Sequence, residues 1–373
     1  MQIVHQFPCY GAENFVTSLS AELARLGIPV VVLTVREGAQ PAIDGVAVVS
    51  ARRGSSADLG FFWRMVALIR AHRPAIVHTH GYHGKLWGRW AAALAGVPAI
   101  VHTEHNSDLR ANPLVRTLNA VANSRTAQFI TFSERLAELL VEYDHVSRER
   151  IAIVPNGVPA PRAGAQTSAR IRLEFGVPTG ARLLLHVGRL TALKNQELAI
   201  RALERLRESD AGAGYRLLFA GLGEDEERLR RLCEQLHVAA AVQFLGYRTD
   251  IDELMRASHA LVVTSKHEAM PLAIMQAMYA NVPVISTPWN GVGELLDDGT
   301  YGFVAGDFGV DAFARAIVEC FTDPLATRRV AARAFACARE RFDIELSARR
   351  HAALYGALLA HPGSYSRGWR RAS

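Results

Sequence analysis

The chain has 373 residues, half of them hydrophobic and 21% charged, which is more than one ordinary core holds, so two globular domains are expected. No apolar run reaches the roughly 20 residues that cross a bilayer, and the start, Met1 to Gln6, enters strand-like sequence without a secretory leader pattern; a cytoplasmic protein is expected. The formal net charge of +6 is spread along the chain, which suits anionic small molecules or a peripheral visit to the inner membrane face rather than a nucleic acid.

In chain order, the strand-like start leads into helical periodicity over 13–26. Apolar runs follow at 29–35, 75–77 and 98–102, with helical spacing over 58–71 between the first two. Pro155-Asn156-Gly157-Val158-Pro159-Ala160-Pro161, continued by small residues to position 168, reads as a linker. Beyond it, apolar runs at 182–187, 215–220, 241–245, 260–264 and 282–286 alternate with helical patterns at 195–208, 226–236 and 311–321. Apolar runs without polar alternation fit strands buried on both faces, hence parallel sheets with right-handed crossovers. The expectation is α/β: two Rossmann-like, doubly wound parallel-sheet domains facing a central cleft. The domains are 1–160 and 169–340, and 341–373 forms a C-terminal helix packing back toward the N-terminal domain plus a basic tail. Ligands of such sheets sit beyond the carboxyl ends of strands, so functional residues are sought there.

After the run 182–187 comes Gly188-Arg189-Leu190-Thr191-Ala192-Leu193-Lys194. A guanidinium fork and a mobile ammonium on one strand-to-helix loop can converge on an anion, although two such cations alone read as ordinary surface charge. The run 260–264 ends in Ser265-Lys266-His267-Glu268-Ala269-Met270-Pro271-Leu272, followed by a helical stretch over 273–280. Pro271 fits the first turn of that helix, where its missing N–H is harmless. The free amides of Ala269, Met270 and that turn suit a phosphate. Glu268 reads either as a capping group or as an acceptor for sugar hydroxyls.

Gly188-Arg189 with Lys194, then Glu268-Ala269-Met270-Pro271-Leu272 before a helix, then Gly291-Val292-Gly293-Glu294, resemble glycosyltransferase family 4. Asn156-Gly157-Val158, Gly221-Leu222-Gly223, Phe244-Leu245-Gly246 and Asp323-Pro324 extend the resemblance over nearly the whole chain. It implies a GT-B fold and retaining transfer without cofactor or catalytic metal. The donor, a UDP- or GDP-sugar, would sit on the C-terminal domain, and a glycan or lipid-linked acceptor on the N-terminal one. The implied catalytic residues are His105, Glu268, Arg189 and Lys194. The implied donor site is Gly11, Gly188, Arg189, Lys194, Glu268, Ala269, Met270, Pro271, Leu272 and Gln276. Two positions depart from the family pattern. Gln276 stands where a second glutamate holds the donor ribose, about 8 Å along the helix from its start; its amide still reaches hydroxyls but without the charge. Ala12 replaces a second glycine after Gly11.

Other patterns point elsewhere. His78, His80 and His83, or His102 with Glu104 and His105, mimic a metal cluster, but no Asp or Cys ligands accompany them. Asp250-Ile251-Asp252 imitates a metal-binding pair, yet Asp250 ahead of a helix with Glu253 reads as a cap. Cys9, Cys233, Cys320 and Cys337 lack metal spacing and read as free thiols. Lys85, Arg89, Arg110 and Arg116 are the cations expected to meet a lipid diphosphate acceptor. Rival functions are a nucleotide-sugar epimerase of the same fold and a catalytically weakened nucleotide-sugar-binding protein.

Overall fold

The computed structural model describes residues 1–7, 11–38, 41–55, 57–105, 113–161, 167–209 and 214–361. The chain divides into two compact units. One comprises Met1–Val158 with the C-terminal helix Ile344–Ala360, and the other comprises Pro159–Asp343.

The first unit is built on a parallel sheet of β1 (Gln2–Val4), β2 (Val31–Thr34), β3 (Ala47–Ser50), β4 (Ile76–His80), β5 (Ala99–Thr103), β6 (Gln128–Thr131) and β7 (Ile151–Ile153), in the order β3-β2-β1-β4-β5-β6-β7. β4 and β5 are buried along their whole length, as strands covered by helices on both faces must be. Helix Gly11–Arg25 sinks Phe15, Val16, Leu19 and Leu23 into the unit, and each such side chain contributes roughly 1.5–3 kcal/mol by leaving water. The C-terminal helix Ile344–Ala360 packs against that helix, with His351, Tyr355 and Leu358 buried. It is tied at its start by the Ile344 amide, which donates to the Val158 carbonyl at 3.2 Å.

The second unit carries β8 (Arg182–Val187), β9 (Tyr215–Ala220), β10 (Val242–Gly246), β11 (Ala260–Val263), β12 (Val284–Ser286) and β13 (Phe303–Val304), in the order β10-β9-β8-β11-β12-β13, with all these neighbours parallel. Helices Gln196–Ser209 and Val310–Thr322 pack together over its core of Leu184, Leu203, Phe219, Val262 and Phe313.

Both sheets reverse strand order once, between β1 and β4 and between β8 and β11. That reversal opens the crevice where open α/β sheets take ligands. The short strands β3, β6, β7 and β13 went unread in the sequence. They hold two to four residues each, too few to show a period.

Candidate functional site

In the second unit the two expected loops flank the strand-order reversal. Gly188 follows β8 with φ +152, a left-handed conformation natural to glycine. The two neighbouring glycines are held by contact. A Cβ on Gly221 would lie 1.9 Å from the Gly188 carbonyl oxygen, and one on Gly223 would lie 2.1 Å from that of Leu190. The Leu190 amide donates to the Leu222 carbonyl at 3.0 Å, and the Asp225 amide donates to the Leu190 carbonyl at 3.1 Å. Gly221-Leu222-Gly223 thus forms the wall on which the Gly188–Lys194 loop rests.

The loop after β11 is stitched to the same loop. The Lys266 amide donates to the Leu193 carbonyl at 2.9 Å, and the Thr264 hydroxyl donates to the Lys194 carbonyl at 2.8 Å. Across this seam the Lys194 ammonium pairs with the Glu268 carboxylate. The Ser265 hydroxyl donates to the same Glu268 oxygen at 2.6 Å, and the Thr287 hydroxyl fixes the Ser265 carbonyl at 2.7 Å. Glu268 is therefore no helix cap: its recorded partners are a side-chain ammonium and a hydroxyl. The Arg189 side chain is exposed, while its carbonyl accepts from the buried Gln196 amide at 2.7 Å.

Ala269, Met270 and Leu272 are partly exposed, as is Gln276, and Pro271 is buried. The helix begins at Leu272 and runs to Tyr279, with Pro271 as its extended cap (φ −70, ψ 118) rather than a member of its first turn. The Ile274 amide closes that turn on the Pro271 carbonyl. Under the loop lies His186, buried against Phe219, its two ring nitrogens without a hydrogen bond. Burial and the Lys194 charge push it down to about 3, so it stays neutral. The structure thus assembles Gly188, Lys194 and Glu268, with Ala269–Leu272 adjoining, in one place. Thr264, Ser265 and Gln196 complete that place without having stood out in the sequence, because single hydroxyls and amides carry no pattern.

Gly11 and His105 belong to the other unit. Gly11 is the exposed first residue of its helix; Pro8, Cys9 and Tyr10 before it lie outside the described residues, as do Asn106, Arg110 and the Arg116 side chain. His105 follows β5, its ring set among Phe15, Phe132 and His80. Its Nε2 is 3.0 Å from His80 Nδ1, and its amide donates to Glu104 Oε1 at 3.1 Å. Burial pushes the His105 imidazole down to about 3, so it is neutral near pH 7.

Lys85 and Arg89 are not open cations. Lys85 is buried between Glu104, at 2.9 Å, and Asp144. Arg89 is 1% exposed and donates to Asn119, Asn123 and the Lys85 carbonyl. The cause is local: the chain from Gly84 to Gly88 turns as a π-helix packed against β4 and β1, which turns these side chains inward. Of the histidine cluster, His78, His80 and His102 are likewise held by hydrogen bonds within the unit, while His83 stacks on His5. Asp250 caps nothing with its side chain; it accepts from Arg248 at 2.8 and 2.6 Å, and Glu253 instead meets Arg170. Cys233, Cys320 and Cys337 are free and buried.

Comparison with known proteins gives two family matches. The model described as Glycosyltransferase Family 4 matches residues 10–162, and that described as Glycosyl transferases group 1 matches residues 168–336. The UDP-Gal:alpha-D-GlcNAc-diphosphoundecaprenol alpha-1,3-galactosyltransferase of Escherichia coli is 28% identical over 71% of each chain. The D-inositol 3-phosphate glycosyltransferase of Kribbella flavida is 28% identical over 92% of this chain and 90% of its own. Among solved structures, Anabaena HepE in complex with UDP and glucose superimposes with a TM-score of 0.81 at 22% identity, covering 96% of this chain and 100% of that one. WaaG, a glycosyltransferase involved in lipopolysaccharide biosynthesis, does so at 0.76 and 19% identity, covering 95% and 98%. At these identities the structural likeness speaks for the GT-B fold.

Proposed function

The chain belongs to the group 1 glycosyltransferases of family 4, which act on nucleotide sugars, and from that premise we propose a retaining, metal-independent transfer from a UDP- or GDP-sugar to a glycan or lipid-linked acceptor in cell-surface polysaccharide or glycolipid assembly. The observation that carries this reading is the Lys194–Glu268 pair bridging the strand-order reversal of the second unit, beside the left-handed Gly188. The name of the E. coli relative supports a lipid diphosphate acceptor. No described helix is long and apolar enough to cross a membrane, so such an acceptor would be met at the membrane surface.

The donor diphosphate sits between Arg189, Lys194 and the amides of Ala269 to Leu272. Lys194 exchanges its carboxylate partner for phosphate oxygens, and Glu268 turns to the sugar hydroxyls. As the anomeric C–O bond breaks, charge grows on the departing diphosphate, and these fixed cations and dipoles stabilise it most at that moment. The acceptor hydroxyl attacks the same face of the sugar, forms the new C–O bond, and passes its proton to a diphosphate oxygen. No enzyme nucleophile takes part. Gln276 meets the ribose, and His105 meets the transferred sugar.

The test is acceptor dependence. With a panel of UDP- and GDP-sugars and a polyprenyl diphosphate-linked sugar, free nucleoside diphosphate should appear only when the acceptor is present, at a rate unchanged by EDTA. Isomerised donor without acceptor points instead to an epimerase, and binding without turnover to a weakened binding protein.

A further inference from the structure

A run of buried polar side chains in the first unit leads from His105 to the C-terminal helix. Gln2 Oε1 lies 2.8 Å from His80 Nε2. A carbonyl oxygen can only accept, so His80 carries its proton on Nε2. Burial holds His80 well below the usual histidine range, so its ring is neutral and its Nδ1 bears a lone pair. The group facing that lone pair at 3.0 Å is His105 Nε2, which must therefore be the donor. At the other end, the Gln2 amide nitrogen donates to the Tyr355 hydroxyl at 3.3 Å. That hydroxyl then donates to His78 Nδ1 at 2.6 Å, and His78 Nε2 donates to Thr103 Oγ1 at 2.6 Å. One direction of donation satisfies every group from Thr103 to His105.

We infer that the C-terminal helix sets the tautomer of His105: Tyr355, through Gln2 and His80, keeps the His105 proton on Nε2 and leaves Nδ1 as a bare acceptor. Among the described residues His105 Nδ1 makes no hydrogen bond, and the residue as a whole is partly exposed. A neutral imidazole held this way takes a proton-bearing hydroxyl of a sugar; it does not offer a proton to an oxyanion. Resting on the reading of His105 as a sugar contact, Tyr355, Gln2 and His80 are positioning residues that touch no substrate. The return of Ile344–Ala360 to the first unit then has a chemical purpose as well as a packing one.

The test is the long-range proton–nitrogen spectrum of the histidine rings in the 15N-labelled full chain at pH 7, beside transfer kinetics. Wild type should show His105 as the neutral Nε2–H tautomer. Tyr355→Phe frees the Gln2 amide to turn, so His105 should become a mixture of tautomers. Its kcat should fall about tenfold, ~1.4 kcal/mol in the barrier, with donor KM held within about twofold, since the lost interaction serves the transition state. Gln2→Met, which removes the acceptor but keeps the volume, should give the same pattern if the tyrosine variant does not fold. An Nδ1–H tautomer in wild type overturns the inference, and so does a Tyr355→Phe protein with unchanged tautomer and kcat. If His105→Ala transfers sugar normally, the sugar-contact reading fails while the tautomer signal stands, so the two are separable.

Discussion

Lys194 and Glu268 neutralise one another, and in the proposed transfer each meets a different part of a nucleotide sugar. Glu268→Ala would free Lys194 for phosphate but strip the sugar of its acceptor. It should lower kcat/KM about 100-fold or more, the scale seen when one preorganised group is lost, while nucleoside diphosphate binding holds or tightens. An equal loss of diphosphate affinity would assign Glu268 to the phosphate site instead. Gln276 sits partly exposed on the helix that Pro271 caps. Gln276→Glu should keep or lower donor KM, and a collapse of activity would show that the neutral amide is specifically required. At this scale the sequence disclosed residues with charge and a fixed spacing. It misjudged Lys85 and Arg89, because a cation on a helix looks the same in sequence whether it faces water or a buried carboxylate.

Among elements, the β8 loop and its glycine wall carry the site. Gly223 has no room for a side chain, since its Cβ would fall 2.1 Å from Leu190 O and 2.6 Å from Leu190 N. Gly223→Ala must therefore push the Leu190 backbone aside, at a cost of about 1–3 kcal/mol in stability, and loosen the Gly188–Lys194 loop. Thermal melting should show the loss, and nucleoside diphosphate affinity should fall with it. A variant with unchanged melting and affinity would mean that the wall does not hold the loop. Most of the longer strands and several helices of both units were legible from their periodicity, but helices Pro113–Arg125, Glu134–Asp144 and Pro324–Arg341, the last with 18 residues, went unread. The π-helical turn 84–88 and the histidine chain were not, because they arise from tertiary packing between segments far apart in sequence, such as Gln2 with Tyr355.

Across the whole molecule, buried histidines are unevenly shared. The first unit holds His83, His102 and His351, each pushed down to about 4 chiefly by burial, and His105 at about 3, with His78 and His80 also well depressed. The second unit holds buried His186 at about 3, while its His259, also lowered, is exposed. Unfolded histidine titrates near 6.5. Below that pH the unfolded chain binds more protons than the folded one, so stability falls as pH drops from about 6.5 toward about 4. The first unit should therefore weaken faster. Between pH 7 and 5, native-state amide exchange corrected for intrinsic rates should speed up more in β4 and β5 than in β8 and β9; equal acceleration would contradict these burial assignments. This asymmetry was open to no sequence reading, since nothing in the fourteen histidines tells which are sealed from water.

The central claim is that Arg189 and Lys194, on the loop after β8, hold the donor diphosphate. Calorimetric titration of UDP and GDP into wild type, Arg189→Ala and Lys194→Ala measures this directly. The account predicts saturable binding to wild type by at least one of the two nucleotides, weakened about 10- to 100-fold by either substitution, the worth of a hydrogen bond to a charged group. Affinity that both substitutions leave unchanged would contradict it.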